Sequence, residues 1–120
     1  MASINMSSEP PPNDALAELA AVLGDENVRT LVRTFLRDFP ASFRELSGGD
    51  RKNRHRIAHS MKSNSRLMGA TVLSQRMAEL EARLEREGGE DVNAQDLAGI
   101  LAEFEMIAGA LRKFVGPAGG

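Results

Sequence analysis

Cysteine is absent from the 120 residues, which removes disulfides, Fe–S clusters, thiolate zinc sites and cysteine catalysis together. Tryptophan and tyrosine are absent as well, and three of the five phenylalanines fall between Phe35 and Phe43. Aliphatic and methionine side chains must therefore fill most of any core. No apolar run approaches the ~18 residues needed to cross a bilayer. The opening MASINMSSEPPPND has neither the basic start nor the apolar stretch of a signal or transit peptide, so the expected address is the cytoplasm. No segment shows the alternation or the Val, Ile and Tyr enrichment of strands. Without strands there is no strand-to-helix phosphate loop, which argues against intrinsic nucleotide binding and kinase activity.

The charged fraction of 27% and the hydrophobic fraction of 42% are those of a water-soluble globular domain, and the length suits one domain with one modest core. The net charge is only -2, but its distribution is uneven. Arg51 to Arg66 holds six Lys or Arg and no acid, whereas Glu79 to Glu105 holds nine acids against Arg83 and Arg86. Helix surfaces are commonly charged, yet a basic region of this kind also attracts an acidic partner surface.

Residues 1–12 are polar and end in Pro10-Pro11-Pro12, which favours a disordered, solvated tail. Residues 116–120 form a stop and a flexible end. Between them, over residues 13–115, the pattern is helical. Asn13 or Asp14 can cap a short helix that Gly24 closes, and Asp25 can cap a second. In the second, Val28, Leu31, Val32, Phe35, Leu36 and Phe39 recur at the spacing of one buried face. Pro40 can kink it or begin a further turn. A third helix is expected from about Arg51 to Met68, with a junction at Gly69. A fourth carries Val72, Leu73, Met77, Leu80 and Leu84 up to Gly88-Gly89, and a fifth begins near Asn93. Four longer amphipathic helices joined by short connections describe an all-α antiparallel four-helix bundle with a short extra N-terminal helix.

On the third helix, at about 100° per residue, Ile57, Met61 and Met68 cluster on one side. His59 falls almost opposite them, with Lys52, His55, Lys62, Ser63 and Arg66. A histidine so placed is displayed to solvent, and from geometry alone an incidental surface residue is the commoner explanation. A neutral imidazole is also a nucleophile. Lys62 and Arg66 would disfavour its protonated form and stabilise a phosphoryl group attached to it. Small Ser60 and Ser63 leave room for a partner to approach.

The run Ala58-His59-Ser60-Met61-Lys62-Ser63-Asn64-Ser65-Arg66-Leu67-Met68-Gly69-Ala70, followed by Leu73, Met77, Leu80 and Glu81, keeps register without a gap over 24 residues with a known pattern. That pattern is A-H-x-L-K-G-S-x-x-x-x-G-A-x-x-L-x-x-x-C-x-x-L-E, and the sequence thus resembles the HPt (histidine-containing phosphotransfer) domain family of two-component phosphorelays. The resemblance implies a phosphocarrier rather than an enzyme, with His59 accepting a phosphoryl group from one receiver-domain aspartate and passing it to another. It implies receiver domains and hybrid histidine kinases as partners, Mg2+ and the catalytic groups in the partner, no cofactor here, and a monomer. Lys62 becomes the positive neighbour, and Ser63, Arg66 and His55 fall in or near the docking face. Ser63 stands where the family usually has glycine, and the second helix is about a turn shorter before Gly48-Gly49 than the family leads one to expect.

Other chemistries fit less well. His55 and His59 sit four apart, a zinc-compatible spacing, but no good third ligand accompanies them. The basic stretch lacks the interleaved aromatics of a nucleic-acid binder. Glu81 and Glu85 would merely line a solvated face. Two further readings stay open: an unphosphorylated adaptor or inhibitor that binds a receiver or kinase, and a structural bundle that self-associates through its Met- and Leu-rich helices.

Overall fold

The structure is a computed structural model that describes residues 9–116. Of the tails expected at residues 1–12 and 116–120, residues 1–8 and 117–120 lie outside the described residues. Five α-helices follow in order: α1 (Asp14–Leu23), α2 (Asp25–Glu45), α3 (Arg51–Leu67), α4 (Thr71–Glu85) and α5 (Ala94–Val115). The described residues form the expected all-α bundle with its short leading helix.

Local chemistry sets most of the ends. Asn13 caps α1 by accepting from the Leu16 N–H, and its amide also donates to the Met68 carbonyl at 2.9 Å. One side chain thus starts α1 and ties it to the end of α3. Asp50 caps α3 by accepting from the Asn53 N–H, and Asn93 with Asp96 forms a reciprocal capping box at α5. Asp25 departs from its expected role. Gly24, at φ +95°, is the residue between α1 and α2 and occupies the N-cap, while the Asp25 carboxylate accepts from Arg29 Nε at 2.6 Å. Pro40, expected to kink the second helix or begin a further turn, lies inside that helix. α2 runs through it to Glu45, although the Leu36 carbonyl forgoes the donor that proline lacks.

The core is aliphatic and methionine-rich, with one aromatic seam. Phe39 stacks on Phe104 of α5 at 3.8 Å between centroids, and Phe35 and Phe43 flank the stack. This seam joins α2 to α5. Ile57 and Met61 of α3 and Leu73, Met77, Leu80 and Leu84 of α4 are buried, and α3 packs more extensively on α4 than on any other helix. Val72, expected on the apolar face of the fourth helix, is substantially exposed.

The turn between α3 and α4 is what positions the site. Gly69 adopts φ +76°, and a Cβ there would collide with the Asn13 side chain. The Ala70 N–H then bonds back to the Ser65 carbonyl. Such a tight reversal sends α4 antiparallel along α3, so residues equally far from Ala70 come opposite one another. His59 meets Glu81, and His55 meets Glu85.

Candidate functional site

Helix α3 presents the two faces its sequence predicts. Ile57, Met61 and Met68 are buried, and the His59 side chain is 60% exposed on the other side. Its surroundings differ from the cationic patch expected there. His59 Nδ1 lies 2.6 Å from Glu81 Oε2, and Lys62 Nζ lies 2.7 Å from Oε1 of the same carboxylate. The Lys62 charge is therefore matched by Glu81, and the nearest charge to the imidazole is negative. Glu81 is only 13% exposed, so it does not merely line a solvated face as expected, whereas Glu85 does stand in solvent.

Burial by itself would raise the Glu81 carboxyl. Hydrogen bonds and charge from Lys62 and His59 outweigh it and hold the group below its ordinary value. An ionised carboxylate only accepts hydrogen bonds, so the ring nitrogen facing it must carry a proton. The neutral imidazole is thereby fixed as the Nδ1–H tautomer with its lone pair on Nε2. Nε2 has no partner among the described residues, and it is the nitrogen left to react.

The remaining cations of the basic run divide into two sets. Arg51 donates to the carbonyls of Arg83 and Leu84 in the last turn of α4 and to that of Gly89 beyond it. Arg54 pairs with Asp91 at 2.7 Å and donates to the Gly48 and Gly49 carbonyls. These arginines pin loops and do not form a free surface. Lys52, Arg56 and Arg66 stay exposed, so the basic surface is narrower than the charge count promised. Ser63 and Arg66 border a shallow groove between α3 and α1 that also includes Leu19, Val22 and Leu67. A second cleft of about 120 Å³ opens between α3 and α2, with Leu31, Phe35, Asn64 and Leu67 among its walls. His55 is not an open surface residue: its Nε2 is shut off from solvent and points towards Glu81 and Glu85.

A family model described as Hpt domain matches residues 14–112. The chain belongs to the Hpt domain family. No match was found for it among curated proteins or among solved structures. Hpt domains are phosphocarriers, and membership implies histidine phosphotransfer in a phosphorelay. Among the described residues of this Hpt domain, no group of three or more His, Asp or Glu side chains is arranged to hold a metal ion, and no helix is long and apolar enough to cross a membrane.

Glu81 is the residue that reasoning from sequence left out of the site. It closes the family pattern, and a signal for its role was present. Counting outward from the Gly69-Ala70 turn on the assumption of an antiparallel hairpin sets it opposite His59.

Proposed function

We propose that this Hpt domain relays a phosphoryl group between receiver-domain aspartates through His59. The observation that carries the reading is the pairing of an exposed imidazole with a carboxylate on Nδ1. It leaves Nε2 as an oriented nucleophile on the solvent side.

In the forward step the Nε2 lone pair attacks the phosphorus of a receiver's aspartyl phosphate. The Nε2–P bond forms, the P–O bond to the donor breaks, and the aspartate leaves as a carboxylate. The ring gains positive charge, which Glu81 stabilises through the Nδ1–H bond at fixed geometry. Donation to a second receiver reverses these steps. Lys62 keeps Glu81 from swinging away, since it holds the other carboxylate oxygen. The receiver contributes Mg2+ and its own catalytic groups. Exposed Arg66 and Lys52 attract its acidic site, and Leu67 and Val22, both substantially exposed, offer apolar contact beside Ser63. Receiver domains and hybrid histidine kinases are the partners in this reading, and the bundle acts in the cytoplasm as a monomer.

Phosphotransfer from a panel of phosphorylated receivers tests it. The wild-type protein is expected to acquire phosphate that is lost in acid and stable in mild alkali, and His59→Gln to acquire none while its helicity is unchanged. Undiminished acid-labile phosphate on the variant would overturn the assignment.

A further inference from the structure

His55 Nε2 is buried without a hydrogen-bond partner, a costly and uncommon state for a polar atom in a folded protein. It stands 4.0 Å from Glu81 Oε2 and 3.9 Å from Glu85 Oε1, just beyond hydrogen-bonding range. Glu81 Oε2 is the same oxygen that holds His59 Nδ1. Two imidazoles one helical turn apart on α3 are thus aimed at one atom on α4. A lone pair on His55 Nε2 would face two anions, so this nitrogen carries a proton and acts as a donor. Closing the gap to Oε2 takes a displacement of about 1 Å, within the reach of a small rotation of the Glu81 side chain.

We propose that His55 is a positioning residue for phosphoryl transfer, acting on His59 through Glu81; the proposal rests on the reading of His59 as the acceptor. Lys62 holds Oε1 of Glu81 and His59 holds Oε2, and His55 stands on the Oε2 side, where closing the gap adds a third restraint. With His55 in place the carboxylate stays turned towards His59, and the imidazole keeps its proton on Nδ1 and its lone pair on Nε2. Without it, Oε2 is free to turn towards solvent, and the tautomer that protonates Nε2 and blocks attack becomes more populated. Glu85, exposed at the rim of a groove that His55, His59 and Glu81 also line, shares the negative field but makes no contact with His59.

Nitrogen-15 NMR of the imidazoles in the unphosphorylated full-length protein reads the tautomer directly. In wild type the Nδ1–H form of His59 is expected to dominate. In His55→Ala the Nε2–H share and the loss of phosphoryl acceptance from a phosphorylated receiver should each change by about three- to tenfold, the range of one net hydrogen bond. His55→Gln, whose amide can donate from a similar place, should restore most of both. If His55→Ala does not fold, His55→Phe fills the space without a donor and carries the same test. A His59 tautomer unmoved in the folded donor-less variant overturns the proposal. A tautomer shift in a protein that takes up no phosphate even as wild type supports the positioning role and defeats the phosphocarrier reading instead.

Discussion

Arg29 and the His59 cluster show two opposite ways in which this bundle treats charge. Arg29 is 1% exposed, and each of its three guanidinium nitrogens donates a hydrogen bond. Nε donates to Asp25, Nη2 to the Glu9 carbonyl and Nη1 to the Phe114 carbonyl, with the plane over the Phe114 ring at 4.2 Å. It sits where the last turn of α5 leaves carbonyls without helical donors and favours a cation, and its planar fork meets several acceptors at once. Around His59 the supply runs the other way. One carboxylate is divided among Lys62, His59 and, at longer range, His55, and the imidazole keeps a free nitrogen in solvent. A buried charged group with each nitrogen tied to a protein acceptor holds the fold together. One with a nitrogen left over, beside a fixed neighbour, is available for chemistry.

The contrast can be broken by substitution. Arg29→Met should have the largest effect on stability, about 2–4 kcal/mol, because it leaves buried carbonyls without donors. Urea unfolding measures it, and phosphoryl acceptance by the protein that remains folded should not change. A loss below about 0.5 kcal/mol, the level of an ordinary surface substitution, would erase the distinction. Glu81→Ala should do the reverse. Its cost in stability is expected to stay at about 1 kcal/mol, since its partners His59 and Lys62 are solvent-accessible and regain water when it is removed. Phosphoryl acceptance should fall about tenfold, equivalent to ~1.4 kcal/mol on the barrier. Equal acceptance by Glu81→Ala and wild type would show that the imidazole needs no partner.

Acid sharpens the comparison with a smaller, distributed effect. Asp91 is held below its ordinary value of 3.8 by hydrogen bonds from Arg54 and the Val92 N–H. For Asp96, burial would raise the carboxyl, but Arg83 and the Asn93 N–H bring it below 3.8, and Glu81 lies below its ordinary 4.5. Each folded value is lower than the unfolded one. The stabilisation is therefore complete above about pH 4.5 and is lost as pH falls through the lowered values. The urea midpoint should decline from about pH 4.5 to about pH 3, and Asp96→Asn should flatten the decline while leaving His59 untouched. A midpoint that rises on acidification contradicts this assignment.

Much of the fold was legible because helices announce themselves locally. The three-four spacing from Val28 to Phe39, the caps at Asn13 and Asn93, and the glycines at 24 and 69 each act within a few residues, so the sequence displays them. The solvent face of α3 was legible for the same reason, and with it the exposure of His59. Arg29 was not. Neighbours such as Val28 and Val32 mark a buried face, but a charged residue at its margin looks solvated until the C-terminus of α5 arrives with free carbonyls. Arg51 and Arg54 were read as part of a basic surface, and only the loops after α2 and α4 turn them into ties.

By itself the sequence determined the number of helices, their apolar faces and the display of His59, since these follow from periodicity and capping along one chain segment. The tertiary structure alone decided that Glu81 and not a cation stands at Nδ1, that Lys62 balances that carboxylate, and that His55 turns inward. Those facts depend on the register between α3 and α4, which the reversal at Gly69-Ala70 sets by bringing side chains 22 residues apart to within 2.6 Å.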